Sequence, residues 1–197
     1  MSWPSAARAW ITVVSGLPRS GTSLAMQMLR AGGLPVLADA ERPADADNPA
    51  GYLEYAPVRS TARDASWVAS APGKAVKVIY ALLRHLPAEH SYRVLWMRRN
   101  LDEVIASQEA MLARSGAAPE GGLPRERLAE VLAAQLAETE HWLAQQPSFR
   151  LLGVDYAAVI ADPQRAARAV DAFLGGGLDV AAMAGVVDAS LRRQRAQ

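Results

Sequence analysis

Residues 12–27 read TVVSGLPRSGTSLAMQ, and this stretch constrains the fold more than any other. An apolar run ends, a glycine- and serine-bearing turn follows, and a helix-forming segment begins. Gly16 and Gly21 stand in the pattern G-x-x-x-x-G, followed by Thr22 and Ser23. That is the spacing of a phosphate-binding loop, with threonine in the usual lysine position. Glycine lets the backbone curl so that successive N–H groups turn inward. The N-terminus of the new helix adds unpaired N–H groups and the positive end of its dipole. Ser20, Thr22 and Ser23 supply hydroxyl donors, and Arg19 a permanent charge on a planar fork suited to phosphate or sulfate oxygens. The missing lysine argues against ordinary ATP or GTP hydrolysis, where it touches the β- and γ-phosphates. A ligand-free strand-to-helix turn is the plain alternative, but strand, loop and helix all fall where anion binding needs them.

The rest of the chain extends this unit. Apolar runs at 10–15 (WITVVS), 75–80 (AVKVIY), 93–97 (RVLWM) and 149–154 (FRLLGV) read as strands, with a weaker one at 35–38 (PVLA). Several are continuous rather than alternating, as expected for strands of a parallel sheet covered on both faces. Helical patterns fill the intervals at 23–30, 101–114, 125–145 and 163–174. The third places Leu128, Val131, Leu132, Leu136 and Leu143 at helical spacing, and the last opens on Pro163 and stops at Gly175. The expectation is one α/β domain of three layers. Its mostly parallel sheet has four to five strands flanked by helices, as in P-loop NTPases. Residues 38–51, acidic and proline-bearing, and 116–124 read as loops.

Composition narrows the chemistry. The 197 residues include no cysteine, which excludes disulfides, thiolate metal sites and cysteine nucleophiles. Twenty-one basic against twenty acidic residues give a net charge of +1, so no nucleic-acid partner is expected and any anion site is a local cluster. The apolar run at 9–17 is far shorter than the ~20 residues of a membrane span. It also lacks a leader's cleavage pattern, so no membrane span and a cytoplasmic location are expected.

A second cluster lies at 93–108, RVLWMRRNLDEVIASQ. A strand ends in Arg98 and Arg99, and Asn100 with Glu103 has the spacing of a capping box at a helix start. Ser107, seven residues on, shares the face of Asn100. An arginine at a strand end and a helix serine can therefore meet a second anionic group, the alternative being a solvated arginine pair.

Taken together, PRSGTS (18–23) and RRNLDEVIAS (98–107) resemble the two cofactor signatures of sulfotransferases that use 3′-phosphoadenosine 5′-phosphosulfate, PAPS. Segments 47–54 (DNPAGYLE), 73–83 (GKAVKVIYALL), 154–174 and 187–193 are similar to other parts of bacterial members of that family. Ala157 departs from a pattern that often carries an acid there. The resemblance implies that Pro18, Arg19, Ser20, Gly21, Thr22 and Ser23 hold the 5′-phosphosulfate. It implies that Arg99 and Ser107, eight apart, hold the 3′-phosphate. Arg19 and Lys77 would stand near the transferred sulfuryl group.

Sulfuryl transfer, like phosphoryl transfer, is served by positioned cations at a loose in-line transition state, so arginine and lysine suffice and no metal is implied. The acceptor's base is expected among carboxylates of the acidic loop region, Glu54 ahead of Asp39. His85, His90 and His141 lie outside matching motifs, and Ile79 stands where some relatives carry histidine. Trp67 reads as core rather than as a stacking partner for adenine. The acceptor expected from the resemblance is a small molecule bearing a hydroxyl or amine. Its wall is expected from acceptor-side insertions at 38–72 and 116–145, or from a second copy in a homodimer. Two other readings stay open. One is a P-loop nucleotide or small-molecule kinase or NTPase, suggested by the acid ending FRLLGVD (149–155). The other is a non-catalytic nucleotide-binding module.

Overall fold

A computed structural model describes residues 9–39, 51–116 and 122–188. The segment 47–50 and most of the tail 187–193 fall outside the described residues.

Four strands form one sheet in the order β2-β1-β3-β4. They are β1 (Ile11–Gly16), β2 (Ala75–Lys77), β3 (Tyr92–Arg98) and β4 (Phe149–Asp155). All pairs are parallel, with Val13 opposite Val76 on one side and Val94 on the other. Every residue of β1 is buried, which explains why its sequence is a continuous apolar run rather than an alternation.

Helices cover both faces. On one, Val14, Leu95 and Met97 pack against α1 (Thr22–Ala31), α5 (Pro163–Phe173) and α6 (Val180–Gly185) through Met26, Leu29, Val170 and Met183. On the other, Ile11, Val13, Val94 and Trp96 meet Trp67, Leu83 and Leu143, the last from α3 (Arg125–Ala144). α3 also packs against α2 (Leu101–Ser115), and a short α4 (Tyr156–Ala161) follows β4. The expected three-layer α/β architecture is present, with four strands.

Three local features differ from the sequence reading. Residues 35–38 contribute a single bridge, Val36 to Ala75, because Pro35 has no N–H to extend a ladder. The run at 75–80 pairs only through Lys77, and the chain then coils into a 3-10 turn at Tyr80–His85. The capping box is only half made: Asn100 accepts from the N–H groups of Asp102 and Glu103, while Glu103 turns its carboxylate to Arg99.

Trp67 sits in the core, donating from Nε1 to Thr61 Oγ1 at 3.0 Å with its ring edge-on to Tyr55. Tyr92 is likewise enclosed and donates to the Pro87 carbonyl at 2.7 Å. Burial, helped by the charge of Glu89, pushes its hydroxyl above the ordinary tyrosine range. Among the described residues, no helix is long and apolar enough to cross a membrane.

Candidate active site

Parallel strands bring their carboxyl ends to one edge of the sheet, where ligands of open α/β folds bind. A cleft of about 320 Å³ opens there. The 16–24 loop and helix start, Lys77 at the end of β2, Arg99 after β3, Tyr156 after β4 and Ser107 on α2 all border it.

The loop depends on its glycines. Gly16 has φ +143°, and a side chain there would stand 2.7 Å from the Met97 carbonyl oxygen. Gly21 has φ +100°, and a Cβ would lie 2.6 Å from the Tyr156 ring. Arg19 adopts φ +69°, a left-handed conformation that costs a non-glycine residue of order 1–3 kcal/mol unless its surroundings hold it. Here Arg99 Nη1 donates to the Arg19 carbonyl at 3.0 Å, while Arg19 Nε donates to Ser107 Oγ at 3.0 Å. No side chain caps α1, whose N-cap is Gly21, so its first turn suits an anion.

Most of the predicted residues converge. Pro18, Arg19, Gly21, Thr22, Ser23, Glu54, Lys77, Arg99 and Ser107 all line the cleft. Lys77, almost wholly buried, donates from Nζ to Ser23 Oγ at 2.9 Å and to the Tyr52 carbonyl. It is thereby tied to the first turn of α1. Glu54 faces Arg59 at 3.6 Å.

Two predicted residues lie elsewhere. Ser20 is buried, and both its N–H and its hydroxyl bond the Leu17 carbonyl, so it closes the turn. Asp39 accepts from the Ala56 N–H, and its own N–H donates to the Glu54 carbonyl. It braces the segment that carries Glu54 and does not line the cleft. Arg98 points to the opposite face and pairs with Glu140 of α3 at 2.7 Å. None of the three histidines borders the cleft, whereas Ile79 does. Asp155 accepts from the Ala158 N–H at 2.8 Å and caps α4.

Sequence reasoning missed Tyr156, Tyr52, Gln27 and Arg114, which also line the cleft. The Tyr156 ring lies 4.5 Å from the Arg99 guanidinium. Its place directly after a strand of the parallel sheet was the available signal. Gln27 donates to the Gly51 carbonyl at 3.1 Å, linking α1 to the Tyr52–Glu54 segment. Among the described residues, no group of three histidines and carboxylates converges on a metal site.

No protein-family model matches this chain, and no curated protein matches it by sequence. Solved structures do. The sulfotransferase domain from the Synechococcus PCC 7002 olefin synthase aligns over 99% of this chain and 85% of its own, at TM-score 0.52 and 16% identity. The chain has a sulfotransferase-like fold. A sulfotransferase domain from the curacin biosynthetic pathway aligns over 95% of this chain and 78% of its own, at TM-score 0.48 and 17% identity.

Proposed function

We propose that this chain is a sulfotransferase that moves a sulfuryl group from PAPS to a hydroxyl or amine of a small acceptor. The observation that carries the reading is a convergence of cations. Arg19 from the loop, Lys77 from β2 and Arg99 from the end of β3 border one cleft together with the hydroxyls of Thr22, Ser23 and Ser107. Such a set fits a nucleotide with two separated anionic groups, and the glycine-dependent loop fits the one nearest α1. The shared fold with the olefin-synthase domain supports the same reading.

The bound donor would supply the activated sulfuryl group. In this reading Pro18, Arg19, Gly21, Thr22 and Ser23 hold its 5′ end through backbone N–H groups, hydroxyls and the arginine fork. Ser20 contributes by closing the turn. Arg99 and Ser107 hold the 3′-phosphate, and loading parts Ser107 from its present donor, Arg19. Arg19 and Lys77 balance charge that develops on the leaving and equatorial oxygens, a contribution needing no metal. Glu54 takes the acceptor's proton, on a segment braced by Asp39. Residues 38–72 supply the acceptor wall through Tyr52 and Glu54. No described residue of 122–145 borders the cleft.

The kinase reading takes its magnesium-binding acid from the end of β4, and Asp155 there caps α4 and does not line the cleft. Transfer of radiolabelled sulfate from PAPS to a panel of phenol, alcohol, carbohydrate and amine acceptors tests the reading. Transfer that Arg19→Ala lowers by two or more orders of magnitude supports it. A folded protein that binds PAPS yet sulfates nothing across the panel points to a non-catalytic nucleotide-binding module instead.

A further inference from the structure

Three hydrogen bonds and one turn of helix close a ring beneath the loop. Glu103 and Ser107 lie one turn apart on α2. Glu103 Oε2 accepts from Arg99 Nε at 2.9 Å, Arg99 Nη1 donates to the Arg19 carbonyl, and Arg19 Nε donates to Ser107 Oγ. The Arg99 and Glu103 side chains are only 9% and 2% exposed. A carboxylate is rarely so enclosed unless a specific partner holds it. Glu103 also forgoes the reciprocal half of the capping box that its position offers. The guanidinium it holds is pinned at Nε, at Nη1 and, on its face, by the Tyr156 ring 4.5 Å away. A planar group pinned at three places has one orientation.

We propose that Glu103 is a positioning residue: it fixes the Arg99 guanidinium so that this arginine both clamps the left-handed Arg19 backbone and meets the 3′-anionic group of the nucleotide. This rests on the cleft being the nucleotide site. Two other roles make different demands. A purely structural carboxylate would affect folding without touching ligand preference. A carboxylate that damps the positive field of the cleft would weaken anion binding, so its removal would tighten it.

Calorimetric Kd values for adenosine 3′,5′-bisphosphate and adenosine 5′-monophosphate, measured on wild type, Glu103→Gln, Glu103→Asp and Glu103→Ala, separate these roles. The ratio of the two affinities isolates the 3′ group. Positioning predicts that Glu103→Gln, whose amide oxygen can still accept from Arg99 Nε, keeps the wild-type ratio. It predicts that Glu103→Asp, one methylene too short, loses about tenfold of it despite retaining the charge. Glu103→Ala should lose at least as much. If Glu103→Ala does not fold, the Gln and Asp variants carry the comparison. An unchanged ratio in the Asp variant, or tighter bisphosphate binding in both Gln and Ala, overturns the proposal. Absence of any preference for the bisphosphate in the wild type refutes the nucleotide reading itself, and the role of Glu103 with it.

Discussion

Gly21→Ala is the most informative single-methyl change in this protein. It places a Cβ 2.6 Å from the Tyr156 ring and forces alanine to φ +100°. A left-handed non-glycine backbone costs about 1–3 kcal/mol, and an overpacked contact about the same again. The expected destabilisation is therefore about 2–6 kcal/mol, a large part of the ~5–15 kcal/mol that holds a typical domain together. Gly33→Ala is the matched control. Its φ is +89°, but nothing lies within 4 Å of the added methyl. It should show the backbone cost alone. Urea unfolding followed by tryptophan fluorescence reads both variants, and the steric share is the difference between them. A double-mutant cycle with Tyr156→Ala sharpens the test: removing the ring should recover about 1–3 kcal/mol of the Gly21→Ala cost. Because the same ring lies against Arg99, Gly21→Ala should also weaken bisphosphate binding. Equal costs for Gly21→Ala and Gly33→Ala, with no coupling to Tyr156, would refute the packing argument for the loop.

Two further outcomes follow from residues away from the loop. Asp155→Ala removes the side-chain cap of α4 and should cost about 1 kcal/mol in urea unfolding, with nucleotide affinity and any magnesium response unchanged. Lost magnesium-dependent ATP binding in this variant would favour the kinase reading. Tyr92 is neutral when folded and held above its ordinary value of about 10 by burial, so its contribution is complete below about pH 10. It is lost as pH rises from there through the folded-state value. Tyr92→Phe should therefore cost about 1 kcal/mol at neutral pH for the lost bond to Pro87, yet show a shallower decline of stability above pH 10. An equally steep alkaline decline in the variant would contradict this.

Much of the architecture was legible because its signals are local. β1 and β3 are buried on both faces, so their runs are continuous, and Pro163 and Gly175 bracket the helix between them in sequence. The cleft was legible for a related reason: residues 18–23, Lys77 and Arg99 all sit at carboxyl ends of neighbouring strands, which topology alone brings together. What stayed hidden needed distance or direction. Ser20 and Thr22 are both hydroxyl residues of one loop, but only the fold shows that the Ser20 hydroxyl turns inward to Leu17. Arg98 and Arg99 are adjacent, yet Arg98, the last residue of β3, pairs with Glu140 of α3 while Arg99, just past the strand, lines the cleft. The Arg19–Ser107 bond joins residues 88 positions apart, beyond any local pattern. At six residues each, α4 and α6 are too short for a helical period to register. The sequence ranks Glu54 ahead of Asp39 as the base but draws both from one loop region, and the bonds around Ala56 separate the brace from the group lining the cleft.

The most direct test of the account is calorimetric titration of the purified protein with adenosine 3′,5′-bisphosphate, in the presence of a chelator, beside a titration with magnesium-ATP. The arrangement of Arg19, Lys77, Arg99 and Ser107 predicts binding of the bisphosphate without metal. Arg99→Ala should weaken it by at least about tenfold, and magnesium-ATP should bind more weakly or not at all. Tight binding of magnesium-ATP with none of the bisphosphate would contradict it.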